Sequence, residues 1–248
     1  MTMVTGFCTR TVGMLAWDSR RRRQATNGAV RYELPPVSSF GPHAGGFVAA
    51  GGNESTALAC VEALSCAGPA TVEDHAERVR GALLRHVERL EIWPATGDPY
   101  AAQCAILTAG AEGTGLGFVD GRSAAHGGQW WHPCAWGARI LLPPGDAGPG
   151  QLRCAEEQWA GALGNALEGR ASRFDVIRAF ARLYADSALL VRSLSGGVRL
   201  GAVVRPKGGT WELYQLRAER ADVLARAPDA LIDGLLNAPA RAPEVIAC

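Results

Sequence analysis

The sequence predicts an α+β protein, a four-layer αββα sandwich of two stacked antiparallel sheets with paired outer helices. Strand patterns occur in groups that are separated by pairs of helix patterns, which differs from the strict strand–helix alternation of a doubly wound sheet. The 248 residues are 48 % hydrophobic, enough for one sizeable core. We expect one domain over residues 1–216 and a C-terminal helical tail over residues 217–248.

The individual elements follow from local patterns. Short β-branched and apolar runs predict strands, and Asn53, Thr71 and Ser172 are typical helix caps. The predicted strands cover residues 3–5, 11–17, 29–34, 46–52, 104–108, 116–120, 198–204 and 210–216. The predicted helices cover residues 54–65, 71–90, 152–168, 173–190 and 220–236.

Charge and composition exclude several classes of protein. The chain has 25 basic and 24 acidic residues, and because Lys207 is its single lysine, 24 of the basic residues are arginines. This balance argues against a dedicated nucleic-acid binder. No apolar run is long enough for a membrane span, and the N-terminus has no signal-peptide pattern. The seven cysteines form no CxxC pair. We expect a reduced, cytoplasmic protein with no nucleic-acid or membrane partner.

Other polar groups are interpreted as structural. The run Arg20–Arg23 is expected to be a solvated loop after a strand. His132 and Cys134 flank a proline, and loop packing is favoured over a metal site there. No metal and no cofactor are expected. Three further histidines are expected in loops or on helix surfaces: His43, His75 and His86.

The N-terminus offers a catalytic group. Met1 precedes the small residue Thr2, so aminopeptidase trimming is expected to expose Thr2 with a free α-amine. Its hydroxyl can then lose a proton to its own amine, which titrates near pH 8. Asp18 follows sixteen residues later, at the end of a predicted strand.

Several motifs accompany Thr2 in order. They are Trp17-Asp18-Ser19-Arg20, Val30-Arg31-Tyr32-Glu33-Leu34, the run 46–52 (GFVAAGG), Ala105 to Gly110, Val119-Asp120-Gly121 and Ser195-Gly196-Gly197-Val198. Together they resemble the proteasome β-subunit superfamily of N-terminal-nucleophile hydrolases, and especially the small bacterial proteasome-like proteins. The resemblance implies a nucleophile at Thr2, supported by Asp18, Arg31 and Ser195, with oxyanion donors among the amides near Gly51.

The chain also departs from the family pattern. The family's catalytic lysine has no equivalent here, so its role falls to Arg31 or to no residue. Arginine stays protonated, and therefore it can stabilise an oxyanion but cannot shuttle protons. The family's second aspartate is replaced by Arg192, and Asp186 is the nearest upstream carboxylate. Cys8 is a rival nucleophile, but Asp18 would then follow after only ten residues. Thr2 is therefore preferred.

These observations predict a threonine-type hydrolase or an amide-forming acyltransferase that works through an acyl-enzyme. Its partners would be a peptide or other acyl or amide substrate and further copies of itself in a homo-oligomer. The alternative is a non-catalytic proteasome-like scaffold subunit with a degenerate site. A ligand-binding domain outside this family is the third class. Substrate and oligomer size are left open.

Overall fold

The computed structural model describes residues 3–18, 21–24, 30–34, 40–90, 98–142, 148–168, 172–190 and 197–237. Within them the chain is α+β. The strands are β1 (Val4–Cys8), β2 (Val12–Asp18), β3 (Arg21–Gln24), β4 (Val30–Leu34), β5 (Phe40–His43), β6 (Gly46–Gly52), β7 (Ala102–Ala109), β8 (Thr114–Asp120), β9 (Trp131–Pro133), β10 (Gly137–Leu142), β11 (Val198–Val204), β12 (Glu212–Ala218) and β13 (Leu236–Asn237). The helices are α1 (Glu54–Ser65), α2 (Val72–Leu90), α3 (Gly121–His126), α4 (Pro149–Glu168), α5 (Arg173–Leu190), α6 (Ala221–Ala225) and α7 (Asp229–Leu235).

The strands form two antiparallel sheets and a separate ribbon. The first sheet has the order β10-β1-β2-β11-β12-β13, and the second has the order β5-β6-β7-β8-β9. The ribbon pairs β3 with β4. In the first sheet, β2 lies between β1 and β11 and is buried at all seven positions. This explains its nearly continuous apolar sequence, because neither face of the strand meets water.

Alternate residues of β2 belong to different hydrophobic clusters. Met14 and Ala16 pack with α4 and α5 residues, whereas Leu15 and Trp17 share a cluster with residues of the second sheet. Two glycines permit the close contact between the sheets. A Cβ atom at Gly201 would lie 2.3 Å from the ring of Phe47, and one at Gly13 would lie 2.6 Å from Leu107. A third cluster joins the second sheet to α1 and α2.

The predicted helix caps are confirmed. The Asn53 side chain accepts from the Thr56 amide at 3.4 Å, and Thr71 and Asp74 bond each other's backbone amides at 3.1 and 3.2 Å. Ser172 and Asp175 make the same reciprocal pair. These bonds satisfy amides that have no partner within the helix, and so they fix where α1, α2 and α5 begin.

Three predictions about local structure are wrong. Arg21, Arg22 and Arg23 lie in β3 rather than in a loop, since they pair with β4. His43 and His75 are fully buried. His43 lies in β5, a strand that the sequence did not predict, and its ring packs against that of His75 in α2. The predicted tail helix over residues 220–236 consists of α6 and α7, with Pro228 between them at the N-cap of α7.

The segment after β12 contributes to the main core. Leu224, Ile232 and Leu236 belong to the same hydrophobic cluster as Met14 and Phe180. Arg178 of α5 holds the segment with ion pairs, and Arg182 donates to the Ala227 carbonyl oxygen at 2.8 Å. None of the helices in the described ranges combines the length and apolarity that crossing a membrane requires.

Candidate functional site

The four predicted site residues differ in what the structure says of them. Asp18 is the last residue of β2, as predicted, and its side chain is 2 % exposed. Arg31 is the second residue of β4, but its side chain is not among the described atoms. Thr2 and Ser195 lie outside the described residues. The convergence of the four residues therefore stays a prediction.

The ends of three neighbouring strands, β1, β2 and β11, lie side by side at the end of the first sheet that carries Asp18. Val4, the first residue of β1, lies opposite Trp17. Val198, the first residue of β11, lies opposite Asp18 itself. Residues two positions before Val4 and three before Val198 are Thr2 and Ser195. The strands on either side of Asp18 therefore begin only two and three residues after the predicted groups Thr2 and Ser195.

Tyr184 of α5 connects this edge to the helix beneath it. Its hydroxyl is fully buried and donates a hydrogen bond to the Met3 carbonyl oxygen at 2.7 Å. Burial, and then the negative charge of Asp18, raise the pKa of Tyr184 well above its usual value. The phenol therefore stays protonated and acts as a constant donor to the peptide group that follows Thr2 by one residue.

Aromatic packing fixes the orientation of Tyr184. The centroid of the Trp159 ring lies 6.4 Å from that of the Tyr184 ring and 5.3 Å from that of the Phe180 ring, and both contacts are edge-on. The Trp159 indole donates to the Ser187 hydroxyl at 3.2 Å. Because these side chains are locked in place, the Tyr184 hydroxyl has little freedom to leave Met3.

The single lysine lies at the other end of the sheet. Lys207 follows β11, whose last residue, Val204, pairs with Val12 at the start of β2. Six residue steps of a strand, about 20 Å, separate Val204 from Val198 beside Asp18. The strand pairing therefore places Lys207 far from Asp18 along the sheet.

The structure disfavours the rival nucleophile. Cys8 is fully buried as the last residue of β1, opposite Gly13, and its Sγ lies 3.7 Å from the Ala135 carbonyl oxygen. Exposing Cys8 as an N-terminus would remove Val4–Phe7, which are four of the five residues of β1. The first sheet would then lose the strand that lies between β10 and β2.

Sequence reasoning missed Tyr184 because no motif surrounds it. The available signal is weak: Ile177, Phe180, Ala181 and Tyr184 form a helical stripe, and all four are fully buried. A tyrosine in such a stripe needs a partner for its hydroxyl. The sequence could not say that this partner is a backbone carbonyl 181 residues away.

Comparison with known proteins assigns no family. No protein-family model matches the chain, and no significant match was found among curated proteins.

Proposed function

We propose that the protein is an N-terminal-nucleophile enzyme in which Thr2, once Met1 is removed, attacks an amide or activated acyl carbon. We further infer that the sheets and helices stack as four αββα layers. Two features support the layers: one hydrophobic cluster combines both sheets, and the other two each combine one sheet with its own helices.

The observation that carries the proposal is the buried carboxylate of Asp18, which lies at the end of β2 beside the start of β1. A carboxylate that is 2 % exposed is costly unless nearby groups compensate its charge. The guanidinium of Arg31 is a permanent cation of the required kind, and the α-amine of Thr2 becomes one when it accepts the hydroxyl proton. Tyr184 adds support, since its bond to the Met3 carbonyl oxygen restrains the chain one residue beyond the nucleophile.

The chemistry needs no cofactor. The α-amine of Thr2 takes the hydroxyl proton as Oγ bonds to the acyl carbon, and Arg31 stabilises the negative charge on the tetrahedral oxygen. Collapse breaks the bond to the leaving amine, which takes the proton, and leaves an ester on Thr2. Water then releases the acid in a hydrolase, whereas an amine releases a new amide in an acyltransferase.

A non-catalytic scaffold subunit is the second candidate, and the position of Lys207 favours it. The single lysine is about 20 Å of strand away from Asp18. A permanently charged arginine lowers a neighbour's pKa but cannot relay a proton. This candidate requires assembly with further copies of the chain.

The two candidates differ in their response to conservative changes at Thr2. An enzyme is expected to lose turnover of acyl-aminocoumarin peptides by at least about a thousandfold in Thr2→Ala and to retain part of it in Thr2→Ser. Light scattering after size exclusion gives the assembly state of both variants. Equal residual turnover in wild type and Thr2→Ala, together with a stable oligomer, supports the scaffold. A strict monomer counts against it.

A further inference from the structure

A cavity of about 410 Å³ lies between the start of α2 and the turn that joins β7 to β8. We call it the α2 cavity. Its walls include Val72 and Glu73 of α2, Glu112 of the turn, Thr108 of β7 and Trp136 from the segment before β10. It is far from the strand edge at Asp18, since Thr114 in its wall bonds the Thr9 carbonyl oxygen, at the opposite end of β1 and β2.

The charged groups of the wall favour a cation. Glu73 and Glu112 are both exposed carboxylates, and no basic side chain lines the part of the cavity that the structure describes. Arg205 is attached to the same turn through the Ala111 carbonyl oxygen at 2.9 Å. Arg205 is not among the described lining residues, so the charged side chains of that lining are the two carboxylates.

The Trp136 side chain is 61 % exposed, the largest exposed fraction among the large hydrophobic side chains described. An exposed indole costs hydrophobic free energy, and its ring face attracts organic cations. The rest of the lining is mostly apolar, with Ala70, Val72 and Ala111 in it. A ligand for this cavity therefore combines a positive charge with an apolar body.

Thr108 supplies a polar contact in the wall. It is 3 % exposed, and its hydroxyl has no hydrogen-bond partner among the described residues. A buried hydroxyl without a partner is unfavourable, and a ligand N–H group that donates to it removes this cost. Next to it, the approach of β8 to α2 is so close that a Cβ atom at Gly115 would lie 2.8 Å from Val72.

We propose that the α2 cavity binds an organic ammonium ion, with its charge between Glu73 and Glu112, its apolar body against Trp136, and an N–H group donating to Thr108. This chemistry is shared by a free aralkylamine and by a lysine side chain of a peptide. The proposal stands independently of catalysis at Thr2.

The test uses the full chain and follows the indole N–H resonance of Trp136 by NMR, assigned through its loss in Trp136→Phe. We expect 2-phenylethylamine to shift this resonance with saturation, and neutral 2-phenylethanol to bind at least about tenfold more weakly. Glu73→Gln combined with Glu112→Gln is expected to weaken the amine about tenfold, and Thr108→Val about fivefold. Glu157→Gln, an exposed site on α4, is the matched control and leaves affinity unchanged.

Two probes distinguish the sources of the amine. Tighter binding of N-acetyl-lysine N-methylamide than of 2-phenylethylamine assigns the site to a peptide-borne lysine, and the reverse order assigns it to a free amine. The proposal is overturned if the alcohol binds as well as the amine, or if 3-phenylpropionate binds better. It is also overturned if no probe shifts the Trp136 resonance while the remaining spectrum is that of the folded protein.

Discussion

The hydroxyl of Tyr184 donates to the backbone carbonyl oxygen of Met3 at 2.7 Å, with both residues buried. The bond fastens the beginning of the central strand pair to α5, close to the carboxylate of Asp18. A single side chain from the second half of the chain thereby restrains the segment that leads to Thr2.

Tyr184→Phe tests the strength of this bond. The variant keeps the ring packing but leaves a buried carbonyl without its donor, so the free energy of unfolding should fall by about 1 to 3 kcal/mol. Urea denaturation provides the measurement. Tyr214→Phe is the control, because the Tyr214 hydroxyl bonds Glu212 in a half-buried position and its removal should cost less. Equal losses in the two variants would contradict the account.

Asp18→Asn tests the electrostatic role of the buried carboxylate. The side-chain shape is retained and the charge is lost, so under the proposed function the rate at which Thr2 is acylated should fall at least about tenfold. The rate of labelling by a β-lactone probe measures this. Asp186→Asn removes an exposed carboxylate from α5 and should leave the rate unchanged. A similar fall in both variants would show that the effect is nonspecific.

We expect the protein to lose stability in acid because it buries two neighbouring histidines. The rings of His43 and His75 are 4.5 Å apart, and the His43 Nε2 lies 3.1 Å from the Leu107 carbonyl oxygen. Burial, and then the charge of His75, lower the pKa of His43 from 6.5 to about 4. Burial, followed by the charge of Arg78, also lowers the pKa of His75.

The difference in proton uptake between the unfolded and the folded chain sets the direction in which stability changes with pH. The unfolded chain binds protons at these histidines below about pH 6.5, whereas the folded chain resists them, so stability is lost as pH falls from 6.5 towards 4. For His43 the loss is on the order of 3 kcal/mol. His75→Phe should reduce the slope of unfolding free energy against pH in this window. His126→Gln, at an exposed site, should keep this slope. An unchanged slope in His75→Phe would refute the assignment.

Arg178 is expected to hold α7 against α5. It is 18 % exposed and forms ion pairs with Asp175, Asp229 and Asp233, the last at 2.7 Å. Arg178→Met should destabilise the protein by about 1 to 2 kcal/mol and increase amide exchange in α7. Arg220→Met breaks an exposed pair with Asp222 and should cost much less, because solvent screens that pair. Unchanged exchange in α7 for Arg178→Met would disprove the anchoring role.

Much of the fold could be predicted from local patterns, since apolar runs and caps are written in neighbouring residues. The long helices and the strand that ends at Asp18 belong to this part. β5 was missed because it contains Gly41 and Pro42, which have low strand propensity, and it is held by pairing with β6. The division of the tail into α6 and α7 was missed although Pro228 was visible.

The candidate site was predictable only where a motif marks it. Asp18 follows a clear strand pattern, and its burial agrees with the role given to it. Tyr184 depends on a contact between distant parts of the chain, which single-sequence patterns do not encode. The same reason hid the pairing of His43 with His75 and the cavity beside Thr108.

The mass of the purified protein before and after reaction with a β-lactone probe tests most directly whether Thr2 is the nucleophile. We expect a chain that lacks Met1 and gains one probe mass, which fragmentation places on Thr2. Thr2→Ala should gain none, and Cys8→Ala should react like the wild type. A chain that retains Met1, or an adduct that persists in Thr2→Ala, would contradict the assignment of Thr2 as the nucleophile.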